Sequence, residues 1–191
     1  MSPEFLDRAS AYFRQHEGAV PHMYLCVHGL VTAGVGHMFP HAKAARTVMW
    51  HRQDGTLAAP VDVDNEFNAI KGRPHGQNVT AASFAGITRL RLKPETVEGI
   101  LRGDLMRFEQ ILAEQFADWD HWPEAAQLAM LDMVFSIGPA MFGKVPPKAY
   151  PKLVAAARNR DWATCATECK RRGVAASRDA AVKALFEEAM R

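Results

Sequence analysis

Glu17, Cys26 and Thr32 are the residues of this 191-residue chain whose types and spacing suggest chemistry. Cys26 lies nine residues after Glu17, and Thr32 six residues after Cys26. A carboxylic acid can protonate the leaving oxygen of a glycoside, and a partly buried setting that raises its pKa suits it to that task. A thiol, with an ordinary pKa of about 8.5, acts as a base only where its surroundings favour the thiolate. His28, two residues on, could favour that thiolate as imidazolium or serve as the base itself as neutral imidazole. Recruited as a nucleophile in some other hydrolysis, Cys26 would need an oriented base within hydrogen-bond reach.

The flanking elements must position these groups. Ser2-Pro3-Glu4 reads as N-cap, first-turn proline and first-turn acid of a helix through about His16, with Phe5, Ala9, Tyr12 and Phe13 as its apolar stripe. Glu17 then falls at the helix end, where the macrodipole disfavours an anion. Such a carboxylate is tolerated in solvent, paired with a cation, or kept for function. Residues 23–27 and 31–36 alternate or carry β-branched side chains around Gly29, as a hairpin would, and Gly34 and Gly36 mark bends or close approaches. From Phe39 to Leu92 the pattern is weak, with a short helix expected over Asp62–Ile70 among turn-rich pieces. The C-terminal half reads as helices starting at Pro94-Glu95 and Pro123-Glu124 and spanning Pro151–Ala157, Asp161–Arg171 and Asp179–Met190. A hairpin followed by helices is an α+β arrangement.

Composition bounds the function. An apolar content of 48% and a charged content of 23% are ordinary for a globular chain with a sizeable core. A net charge of +2, from 23 basic and 21 acidic residues, offers no concentrated basic field for nucleic acid. Three cysteines, Cys26, Cys165 and Cys169, make neither a disulfide framework nor a zinc motif, and the last two read as small buried hydrophobes. No signal peptide and no membrane span is expected from the sequence. His41, His51 and His75 lack a metal-ligand spacing, so no metal is expected.

The stretch from Glu17 through Tyr24, Gly29, Thr32, Gly34 and Gly36 to His37 resembles the active-site hairpin of the phage-type lysozymes, with Cys26 where that family has Asp. RLKPETVEGILRGDLMRFEQIL is similar to that family's long connecting helix, AQLAMLDMVFSIGPAMFG to its central buried helix, and SRDAAVKALF to its last helix. The similarity covers roughly residues 4–40 and 90–190. It implies a two-lobed lysozyme-like fold as a single domain over 1–191, with a smaller β-containing lobe over about 17–92 and a helical lobe from 1–16 and 93–191. It further implies a muramidase of peptidoglycan glycan strands with Glu17 as general acid and no cofactor, the sugars lying in the groove between the lobes. In this family the Asp assists the attacking water with inversion. Cys26 therefore substitutes for it, or marks a weakened enzyme that still binds glycan, or serves another hydrolysis.

The remaining candidates follow from the same resemblance. Thr32 would hydrogen-bond water or sugar, or be a plain strand residue. Tyr24 would line the groove or the core, and His37 would anchor the hairpin. Asp132, where the family usually has Asn, would contact substrate or sit in solvent. Arg178 would approach Glu17, answering the dipole conflict. Asp62, Asp64 and Glu66 read first as capping and dipole-complementing acids, with a replacement carboxylate from this segment as the other reading. The insertion over 41–90 resembles lysozyme-like proteins of bacterial genomes, some of them secreted toxins. That analogy implies a monomer delivered to the cell wall by a secretion system or phage lysis, with a cognate immunity protein as partner.

Overall fold

The computed structural model describes residues 1–143 and 149–191. Among them the chain is α+β, with eight α-helices and one three-stranded antiparallel sheet. It divides into two compact units, Ser10–Asp104 and the pairing of Met1–Ala9 with Leu105–Arg191. Helices α1 (Pro3–Glu17) and α4 (Pro94–Gln115) each supply residues to both.

The unit of Ser10–Asp104 is built on strands β1 (Val20–Leu25), β2 (Val31–Gly34) and β3 (His37–Phe39), ordered β1-β2-β3. The β1–β2 register pairs Tyr24 with Thr32 and Leu25 with Val31, and β2–β3 pairs Val31 with Phe39 and Thr32 with Met38. Residues directly opposite share a face. Leu25, Val31 and Phe39 therefore form the buried face, and Tyr24, Thr32 and Met38 the other. A bulge between Val20 and Tyr24 sets this register.

Residues 23–27 and 31–36 were expected to be strands, and the first strand instead begins at Val20 and ends at Leu25. The loop explains the stop. Gly29 N–H donates to the Cys26 carbonyl at 2.8 Å and Cys26 N–H to the Leu30 carbonyl at 3.0 Å, with Gly29 at φ +69°. This is a turn closed by a left-handed residue in a one-residue bulge, a common three-residue hairpin loop that favours glycine at that point.

The weakly patterned segment after β3 is more ordered than its sequence suggests. It holds the one-turn α2 (Ala42–Ala45) and the three-turn α3 (Pro60–Lys71), longer at both ends than the expected Asp62–Ile70. Pro60 occupies the first turn of α3, and Asp62 Oδ2 accepts the Ala59 N–H at 2.8 Å. Val63, Phe67 and Ile70 bury the face of α3 that packs on β1 and β2. Asp64 takes Arg46, Asp62 takes Arg52, and Glu66 accepts backbone N–H groups of Arg89 and Leu90 at 2.6 and 3.1 Å. All three acids thus hold the segment together. Leu92 N–H returns the chain to β1 through the Pro21 carbonyl at 2.7 Å.

The other unit is helical. The middle of α5 (Glu124–Ile137) is buried almost throughout, from Leu128 to Val134, and packs against α8 (Ala176–Glu188). Beside them lie α6 (Pro151–Arg158) and α7 (Trp162–Glu168). Helix α7 is shorter than the expected Asp161–Arg171: Asp161 caps it by accepting the Thr164 N–H at 3.0 Å, and Cys169 ends it. Helix α8 begins earlier than the expected Asp179. Phe116, Trp122, Trp162 and Phe186 form a run of ring contacts with successive centroids 4.7, 4.9 and 6.4 Å apart. Cys165 and Cys169 are buried here, and burial pushes the Cys165 thiol up to about 12.

Candidate functional site

Glu17 is the last residue of α1 and is exposed. Gly18 follows at φ +70°, the left-handed conformation that ends a helix and turns the chain into β1. Two residues separate Glu17 from that strand, so the acid and the hairpin are locally coupled by the chain itself.

Tyr24 shows how closely. Its phenol is pushed up to about 12, first by burial, then by the negative charges of Glu17 and Cys26. The carboxylate and the thiol therefore stand within electrostatic reach of one hydroxyl, which stays protonated through neutral pH and can donate. Cys26 is half-buried, free of any disulfide, and lies just past the end of β1, two residues beyond Tyr24.

Thr32 lies opposite Tyr24 but is only 2% exposed, and its hydroxyl donates to the Leu30 carbonyl at 2.9 Å. As placed, it braces the hairpin loop. His28 would share a side with Cys26 only if the strand reached it. Instead it sits exposed in the turn, because β1 ends at Leu25. His37 Nδ1 donates to Asp104 Oδ2 at 2.6 Å, tying β3 to the carboxylate of α4. Its ring also meets Phe39 edge-on at 4.7 Å.

Asp132 corrects an expectation. It is neither solvated nor open to a ligand: it is 0% exposed. Arg171 Nη1 donates to its Oδ1 at 2.6 Å and Arg178 Nε at 3.0 Å, while Arg171 also pairs with Asp179 at 2.9 Å. Arg178 is thus engaged with Asp132 in a buried charge network of its own unit. Removing one member of such a network leaves a buried charge uncompensated, which is costly.

Two residues absent from the sequence-based set complete the hairpin turn. Lys71 Nζ, at the end of α3, donates to the Gly29 carbonyl at 2.7 Å. The His75 ring lies over Gly29 so closely that a Cβ there would come within 2.7 Å of Nε2. The cationic run KGRPH after a helix was the available signal, but the carbonyl it serves is 42 residues away. Asp104 had a clearer one, an acid within the apolar stripe of Leu101, Leu105 and Phe108.

Among the described residues no group of three or more His, Cys, Asp or Glu is placed to hold a metal ion. Likewise, no helix among them is long and apolar enough to cross a membrane. No protein-family model matches the chain, and no curated protein matches it.

Proposed function

We propose that the chain is a lysozyme-type glycoside hydrolase that cuts peptidoglycan between N-acetylmuramic acid and N-acetylglucosamine. The observation that supports this reading is that Glu17 and Cys26 both lie within electrostatic reach of the one Tyr24 phenol on the hairpin. Glu17 is the general acid: its proton passes to the leaving glycosidic oxygen as the bond to the anomeric carbon breaks. A water attacks that carbon from the opposite face, Cys26 standing where the family has its water-assisting Asp, and the water's proton passes to solvent. The Tyr24 phenol, pushed up to about 12, stays protonated near neutral pH and is available as a hydrogen-bond donor to substrate. Thr32 holds the loop that carries Cys26. Within this reading the family resemblance supplies the two-lobed lysozyme fold, delivery to the cell wall by a secretion or lysis system, and a cognate immunity partner.

The test is release of reducing sugars and of mass-defined fragments from purified peptidoglycan by the intact chain, Glu17→Gln and Cys26→Asp. Loss of release with Glu17→Gln and a gain with Cys26→Asp are expected. Free peptide amines without new reducing ends would replace this reading with Cys26-dependent peptide or amide hydrolysis. Sedimentation with peptidoglycan and no product from the intact chain would leave a glycan-binding protein.

A further inference from the structure

Both main-chain polar groups of Cys26 are engaged within the hairpin loop. Its carbonyl accepts the Gly29 N–H at 2.8 Å, and its N–H donates to the Leu30 carbonyl at 3.0 Å, the same oxygen that takes the Thr32 hydroxyl at 2.9 Å. The direction of the thiol therefore follows the loop, with one side-chain torsion left to it.

The loop is held in turn from outside, at Gly29. Lys71 Nζ donates to the Gly29 carbonyl at 2.7 Å, a charge-assisted bond from a cation at the helix end where the macrodipole favours one. The His75 ring lies against the same glycine, where an added Cβ would come within 2.7 Å of Nε2. Both residues hang from one support. Val63, Phe67 and Ile70 seat α3 on β1 and β2, and past Gly72 the Arg73 N–H donates back to the Ile70 carbonyl at 3.0 Å. Neither Lys71 nor His75 adds to the core, since both are exposed and α3 is already seated by its apolar face. Their common target is Gly29, whose own N–H is bonded to Cys26.

We infer that Lys71 and His75 are positioning residues for the reaction: they fix the Gly29 turn, which sets where Cys26 stands relative to the attacking water. The inference rests on the reading of the chain as a peptidoglycan glycoside hydrolase. Turnover is steeply sensitive to such placement, a displacement of about 1 Å costing up to about a hundredfold. Substrate binding along the rest of the groove does not depend on this turn.

Lys71→Met, Lys71→Arg and His75→Ala, each in the full chain, are compared with the wild type in two assays, with circular dichroism as the check on folding. In cleavage of soluble glycan strands, Lys71→Met and His75→Ala should each lower kcat by about tenfold with KM within about twofold, the signature of misplacement without lost binding. Lys71→Arg, which keeps the charge and a donor, should restore most of the rate. The second assay needs no turnover. Iodoacetamide labelling of Cys26 is followed near pH 9.5, where an ordinary thiol is mostly ionised and the rate reads access to it. Labelling should be at least about threefold faster in Lys71→Met and His75→Ala as the loop opens locally, and should return to the wild-type rate in Lys71→Arg. Cys165 and Cys169 should label no faster than in the wild type. Unchanged kcat in Lys71→Met and His75→Ala, unchanged Cys26 labelling, no rescue by Lys71→Arg, or equal acceleration at Cys165 and Cys169 would each overturn the inference. A wild-type chain that cuts no glycan removes the hydrolase reading, and the labelling rates alone then decide whether the two residues hold Cys26.

Discussion

Lys71 Nζ donates to the carbonyl oxygen of Gly29 at 2.7 Å, so the last residue of α3 holds the turn that carries Cys26. This makes the segment between β3 and α4 part of the candidate site and not a peripheral insertion. Lys71→Met should cost roughly 1 kcal/mol, the scale of one hydrogen bond to a charged group near the surface. Native-state hydrogen exchange should show faster loss of protection at Cys26 N–H, with α8 amides unchanged. Unaltered protection at Cys26 would mean that the lysine does not hold the turn.

Gly29 carries two constraints at once. At φ +69°, Gly29→Ala should cost about 1–2 kcal/mol in urea unfolding, and its new Cβ would press on the His75 ring. Gly29→Ala in a His75→Ala background should recover only the steric share. If Gly29→Ala alone unfolds at the wild-type midpoint, the left-handed turn is not the native one.

Tyr24 should ionise near pH 12, measured as the 295 nm absorbance difference between the wild type and Tyr24→Phe. The sign for stability follows from the folded value lying above the ordinary 10.0. The folded chain holds this proton more tightly than the unfolded chain. The stabilisation is therefore complete below pH 10 and is lost as pH rises from there toward 12. Cys165, also pushed up to about 12, acts in the same direction, so the comparison with Tyr24→Phe isolates the tyrosine. Glu17→Gln should lower the Tyr24 value only partly, because burial is the larger cause.

Thiol chemistry should single out Cys26. Brief iodoacetamide treatment of the native chain near pH 7.5, about a unit below an ordinary thiol pKa, should give one adduct, at the half-buried residue, while Cys165 and Cys169 stay unmodified until unfolding. Mass spectrometry of a digest reads this directly. Labelling of Cys165 at a comparable rate would contradict its burial.

Asp132→Asn should destabilise the helical unit by roughly 3–5 kcal/mol, since Arg171 and Arg178 lose their shared carboxylate in a buried place. Calorimetric unfolding checks it. A loss below about 1 kcal/mol would show the two arginines re-partnered without cost.

The legible part of the site was local. Glu17 and Gly18 could be placed because a helix ends where its apolar stripe stops and a glycine follows. Tyr24, Cys26 and Thr32 could be placed on one hairpin because Gly29 between alternating segments marks the loop. Lys71, His75 and Asp132 could not be assigned their partners. The lysine sits at an exposed helix end and the aspartate on an otherwise apolar helix, and either pattern fits several environments. Glu66 looked like a dipole-complementing acid of α3, and it is instead the acceptor for two backbone groups 23 and 24 residues ahead.

By itself the sequence determined the α+β class, the start of each major helix to within a few residues, the hairpin and its glycine-closed loop. These depend on caps, periodicity and allowed φ values, which act between residues a few positions apart. Only the tertiary structure decided that Asp132 is buried between two arginines, that α3 clamps the Cys26 turn, and that Glu66 accepts the N–H groups of Arg89 and Leu90. Those outcomes depend on which distant groups meet once the loops close. A side chain's chemistry there is set by desolvation and by the partner it finds, neither of which a residue carries in its own identity.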